Sequence, residues 1–134
     1  MRVKIVARYL DGRVLKGQTD DFGPAKPGFH LTTPPQADVP SRIVDIKLSD
    51  LKAVFFVRDL LGDAAYNEEK AFPAGAKTPG KRLQVVFLDG EVLVGTTQAY
   101  QPERTGFFLI PVDTKSNNER CFVVMSSVKN VSFV

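Results

Sequence analysis

Apolar and polar positions alternate along most of this chain, and the alternation breaks at matching places in its two halves. Ile5-Val6-Ala7-Arg8-Tyr9 and Val85-Val86-Phe87 each run into Asp-Gly and then into a second alternating stretch. Successive side chains on a strand point to opposite faces, so such stretches predict strands with one face toward a core. Asp11-Gly12 and Asp89-Gly90 predict two-residue hairpin turns, with glycine supplying the positive φ. Loop chemistry follows in Pro24-Ala25-Lys26-Pro27-Gly28 and Pro102-Glu103-Arg104-Thr105-Gly106. Strands resume at Phe29-His30-Leu31-Thr32 and Phe107-Phe108-Leu109-Ile110. Fourth strands are expected at 43–48 and 121–125. Tight turns, Ser49-Asp50-Leu51 and Ser126-Ser127-Val128, lead from them into fifth strands at 52–57 and 129–134.

The correspondence extends to identities. An offset of 78 residues places Leu10-Asp11-Gly12 on Leu88-Asp89-Gly90, Val14-Leu15 on Val92-Leu93, Gly17 on Gly95, Thr19 on Thr97 and Gly28-Phe29 on Gly106-Phe107. An offset of 77 places Leu51-Lys52-Ala53-Val54 on Val128-Lys129-Asn130-Val131, and Phe56-Val57 on Phe133-Val134. Self-similarity of this kind predicts one fold unit used twice. The expected organisation is a first β unit at 1–57, a connector at 58–81 and a second β unit at 82–134. Within the connector Asp63 is a plausible N-cap for a short helix over 64–70, before Pro73-Ala74-Gly75 and Pro79-Gly80.

Composition narrows the class. With 43% hydrophobic and 25% charged residues the profile is that of a folded domain, and 134 residues suffice for two small units that support each other. No run of 18 apolar residues exists and the first residues already alternate, so a cytosolic protein without membrane attachment is expected. One cysteine, Cys121, and one histidine, His30, leave no intramolecular disulfide and no Cys/His zinc cluster; no metal or other cofactor is expected. The net charge of +3 comes from a weakly basic first half, the ordinary condition of a solvated surface.

Each unit resembles the Sm-like barrel, a small SH3-like fold, through Gly12, Leu15, Gly17, Phe29 and Leu31 and again through Gly90, Leu93, Gly95, Phe107 and Leu109. The whole chain is also similar to an uncharacterised family of small bacterial proteins that carry this tandem unit. The resemblance implies two five-stranded barrels in tandem, a mainly β protein. Its RNA-binding members hold nucleotides with a polar residue after the second strand and with a basic residue and glycine between the fourth and fifth. Those places here hold Gly28 and Gly106, then Ser49-Asp50 and Ser126-Ser127, so the resemblance does not carry RNA binding with it.

The copies differ on one face. Val44, Ile46 and Leu48 are expected inward with Asp45 and Lys47 outward, whereas the second unit has Cys121, Val123 and Met125 inward with Phe122 and Val124 outward. The same polar-to-apolar exchange turns Arg8 into Val86, Lys16 into Val94, His30 into Phe108 and Thr32 into Ile110. Val86, Val94, Phe108, Ile110, Phe122 and Val124 therefore predict a contiguous apolar outer face on the second unit, of a size that marks an interface. Three coverings are open: the rest of the chain, a second copy in a homodimer, or a different protein.

Catalytic chemistry finds little support. His30 is read as a surface residue with no nearby Ser/His/Asp arrangement, Cys121 as a buried hydrophobe, and Asp11 and Asp89 as turn formers. The binding candidates are Lys26 and Arg104 in matching loops, and Asn117, Asn118 and Arg120 beside the fourth strand of the second unit. The expectation is a non-enzymatic interaction or assembly module, with RNA or nucleotide binding through Lys26, Arg104, Asn117 and Arg120 as the alternative.

Overall fold

The computed structural model describes residues 2–62, 80–98, 100–101, 104–113 and 116–134. Among these residues ten strands form: β1 (Val3–Tyr9), β2 (Val14–Thr19), β3 (Gly28–Thr32), β4 (Ile43–Lys47), β5 (Leu51–Val57), β6 (Lys81–Phe87), β7 (Val92–Thr97), β8 (Gly106–Pro111), β9 (Asn118–Val124) and β10 (Val128–Phe133). Single turns of 3-10 helix, Leu48–Asp50 and Met125–Ser127, join β4 to β5 and β9 to β10. The helix expected over 64–70 lies outside the described residues. Among the described residues no helix is long and apolar enough to cross a membrane.

All ten strands belong to one antiparallel sheet in the order β10-β6-β7-β8-β9-β5-β1-β2-β3-β4. The pairing order of the first half, from β5 through β1, β2 and β3 to β4, recurs in the second half from β10 through β6, β7 and β8 to β9. What departs from two barrels each closed on itself is the last pairing. β5 lies beside β9, with Ala53 opposite Val123, Val54 opposite Phe122 and Phe55 opposite Cys121. That pairing occupies the edge of β5 that closure onto β4 would need, so the sheet stays open and ends in β4 at one side and β10 at the other.

The central strand explains the two cores. All seven residues of β5 are buried, as expected of a strand covered on both faces. Val54 and Phe56 enter a first core with Ile5, Leu31, Ile46, Phe122 and Val124, while Ala53, Phe55 and Val57 enter a second with Leu83, Val85, Leu109, Cys121 and Val123. One strand thus serves both halves, and β9 does the same from the other side of the join.

The hairpins differ in detail from expectation. Gly12 donates to the Tyr9 carbonyl and Tyr9 to the Arg13 carbonyl, with the same pattern at Gly90, Phe87 and Glu91. Each loop therefore has three residues, closed by glycine at φ +94° and +91° as a G1 bulge rather than by a two-residue turn. The glycines shared by the two motifs have a second reason. A Cβ at Gly17 would run into the Thr32 carbonyl, and one at Gly95 into the Ile110 carbonyl, because β2 and β7 bend closely against the next strand there.

Candidate functional site

The residues expected as an outer apolar face do not stay together. Phe122 and Val124 are fully buried in the first core, and Phe108 packs half-buried against it. Phe22 from the first half closes the group edge-on, its ring centroid 5.3 Å from Phe56, 6.1 Å from Phe108 and 5.4 Å from Phe122. These three positions are thus covered from within the chain. Val94 is buried as well, Val86 is half-buried in the pair with Asn130, and Ile110 remains 51% exposed.

Arg120 belongs to the same join. Its guanidinium carbon lies 4.3 Å from the Phe56 ring centroid and 4.7 Å from that of Phe108, so the planar cation sits over both ring faces of the aromatic cluster. Asn117 accepts from the Asp59 amide at 2.9 Å and donates to the Asp59 carbonyl at 2.8 Å, and the Arg58 amide donates to the Asn117 carbonyl. Asn118 opens β9, and its amide donates to Ser116. Asn117 thus fastens the chain leaving β5 to the chain entering β9, where Asn118 lies opposite Val57.

At the opposite end of the join lies an ion-pair site that the alternating pattern hid. Lys52 sits in an irregularity of β5, where the pairing with β1 slips between Arg8 and Tyr9. Its side chain is only 9% exposed and reaches across the join to Asp89 at 2.7 Å, to Glu91, and over the Phe87 ring at 4.7 Å. Burial pulls the Lys52 ammonium down, but its hydrogen bonds to Asp89 and Glu91 outweigh this and its pKa stands above the ordinary value. The same contact lowers Asp89. Asp89 is therefore more than a turn former. The Ser127 hydroxyl, fully buried, completes this end within hydrogen-bonding reach of the Lys52 carbonyl at 2.8 Å.

Lys26 and Arg104 are brought together. Their loops line a cleft of about 560 Å³ between the halves, together with Leu48-Ser49 and Val124-Met125-Ser126 at the two 3-10 turns. Lys26 reaches the Asp21 carbonyl at 3.2 Å and Arg104 the Gln101 side chain, and both are exposed.

His30 has partners that lie far from it in sequence. Nδ1 is 2.6 Å from Asp21 in the loop after β2, and Nε2 is 2.9 Å from Asp45, the residue opposite His30 on β4. The hydrogen bond to Asp21 raises the His30 pKa and brings Asp21 down to about 2. Both ring nitrogens are engaged, and Cys121 is wholly buried. Among the described residues no group of three or more His, Cys, Asp or Glu is placed to hold a metal ion.

The model of a family of unknown function, DUF6982, matches the chain over residues 1–134. No curated protein and no solved structure matches the chain.

Proposed function

We propose that this chain, which belongs to the family of unknown function DUF6982, is a non-enzymatic assembly module: two Sm-like, barrel-like units arisen by duplication and fused through β5 and β9. The recurrence of one pairing order in both halves supports the duplication. The observation that carries the assembly reading is the open sheet. β4 and β10 each present one unpaired edge among the described residues, and an unpaired edge is a template for another strand. Apolar side chains stand exposed along both edges, Ile43 at 73%, Phe133 at 61% and Val134 at 58%. The engaged ring of His30 and the burial of Cys121 support a role without nucleophilic chemistry.

A photo-crosslinking side chain placed at Ser132 or Asp45 in the expressing cell tests this. Discrete adducts from both edge positions, and none from Lys16, exposed on the inner strand β2, are expected. Adducts that form equally at all three positions, or at none, contradict it.

A second reading rests on the cleft. Lys26 and Arg104 bring two cations from different halves to its rim, a placement suited to a phosphate-bearing ligand such as RNA or a nucleotide. Phosphate-driven binding falls steeply with salt, so single-stranded RNA should bind at 50 mM salt, weaken sharply by 200 mM, and be lost in Lys26→Ala/Arg104→Ala. Absence of binding at the lower salt removes this reading.

A further inference from the structure

The join between the halves supplies a pattern for what the free edges can do. β5 and β9 pair antiparallel inside the chain, with Ala53, Val54, Phe55 and Phe56 opposite Val123, Phe122, Cys121 and Arg120. The positions equivalent to β5 at the 77-residue offset are those of β10, and the positions equivalent to β9 are those of β4. Among the described residues these two strands are the ones without a second neighbour. Transferring the register places Asn130 opposite Ile46, Val131 opposite Asp45, Ser132 opposite Val44 and Phe133 opposite Ile43.

We infer that β10 of one molecule pairs with β4 of a second copy, head to tail, in that register. This rests on the assembly reading above and names its partner. Two observations converge on it. The residues brought opposite one another at the end of the register, Phe133 and Ile43, are both large, apolar and largely exposed in the single chain. Phe133 is also braced as its counterpart Phe56 is braced: Tyr100 lies 6.1 Å from Phe133, as Phe22 lies 5.3 Å from Phe56.

The differences between the two joins set its strength. Phe122 and Val124 of the internal join are replaced by Asp45 and Lys47, and Ala53 and Phe55 by Asn130 and Ser132. The Lys52 contact to Asp89 and Glu91 has its counterpart in Lys129 facing Asp11 and Arg13 of the second copy, one attraction and one repulsion. The internal join is permanent and the external one reversible, depending on concentration. Because the two surfaces differ, the contact is heterologous and adds molecules in series until a ring closes or the chain stays open.

Sedimentation velocity across 5 to 500 µM tests this with two exposed-site variants, Ile43→Glu and Phe133→Glu, whose folding is checked by circular dichroism. The wild type should shift from monomer toward dimers and longer series, and each variant alone should weaken association about tenfold or more, the effect of setting a charge against the large apolar residue opposite. Mixed in equal amounts, the two variants should form a dimer and stop there, because only one intact Phe133–Ile43 contact can be made between them. A wild type that stays monomeric throughout, or oligomers that both variants leave unchanged, would overturn the second copy as partner. Adducts at Ser132 and Asp45 to a different protein would then leave the assembly reading standing, whereas their absence would remove both.

Discussion

Lys52 lies in a strand that is otherwise apolar, and its ammonium crosses from one half of the molecule to the hairpin of the other. Its burial is sustained by two carboxylates and by the face of Phe87. Lys52→Ala should therefore cost about 1.5–3 kcal/mol, the range for hydrogen bonds to charged groups, measured by urea unfolding. Phe122, with no exposed surface, should cost about 3–5 kcal/mol on truncation to alanine, because the rings of Phe22, Phe56 and Phe108 cannot collapse into its space. His30 and Asp21 make a pH-dependent contribution whose sign follows from their shifts. Asp21 is lowered, so its part is present above the ordinary aspartate value and is lost as pH falls toward about 2. His30 is raised, so its part is complete below the ordinary histidine value and is lost as pH rises through the shifted one. Their joint contribution is greatest between about pH 4 and 6.5, the ordinary values of the two groups. The His30 ring should titrate above its ordinary value by nuclear magnetic resonance and move back toward it in Asp21→Asn; an unchanged midpoint in that variant contradicts the pairing.

At the scale of elements, β2 and β7 depend on a glycine whose missing side chain lets the next strand approach. Gly95→Ala should destabilise by about 1–3 kcal/mol, since the obstacle is the Ile110 carbonyl and not a movable side chain. A substitution tolerated without loss would show that β7 can relax. Strands were legible because alternation is a local property: Val44-Asp45-Ile46-Lys47 and Cys121-Phe122-Val123-Val124 place their faces as the pattern requires. The apolar exchange at Phe122 and Val124 also pointed to a covered face, although the face itself divides, with Ile110 left in solvent. What the pattern could not carry was the choice of neighbour for the second edge of β5. Closure onto β4 and pairing with β9 make similar local demands, and the deciding signal was the unbroken burial of Ala53, Phe55 and Val57, which a strand with one solvent-facing side would not need. Long-range partners were equally hidden. Asp21 and Asp45 meet His30, and Asn117 meets Asp59, only because the sheet brings distant segments together.

For the whole molecule, sharing β5 and β9 between two cores makes the halves interdependent. Denaturant unfolding should follow one transition by circular dichroism and by tyrosine fluorescence alike, whereas two separated transitions would mean that each half folds alone. Among the described residues the same construction leaves one free edge at either end of the sheet, and the account stands on those edges being where molecules join. Amide hydrogen exchange, compared between dilute and concentrated protein, addresses this directly. The account predicts that the amides of β4 and β10 gain protection at high concentration while those of β5 and β9 are protected equally in both. Unchanged exchange in β4 and β10, or protection gained elsewhere on the surface, would contradict it.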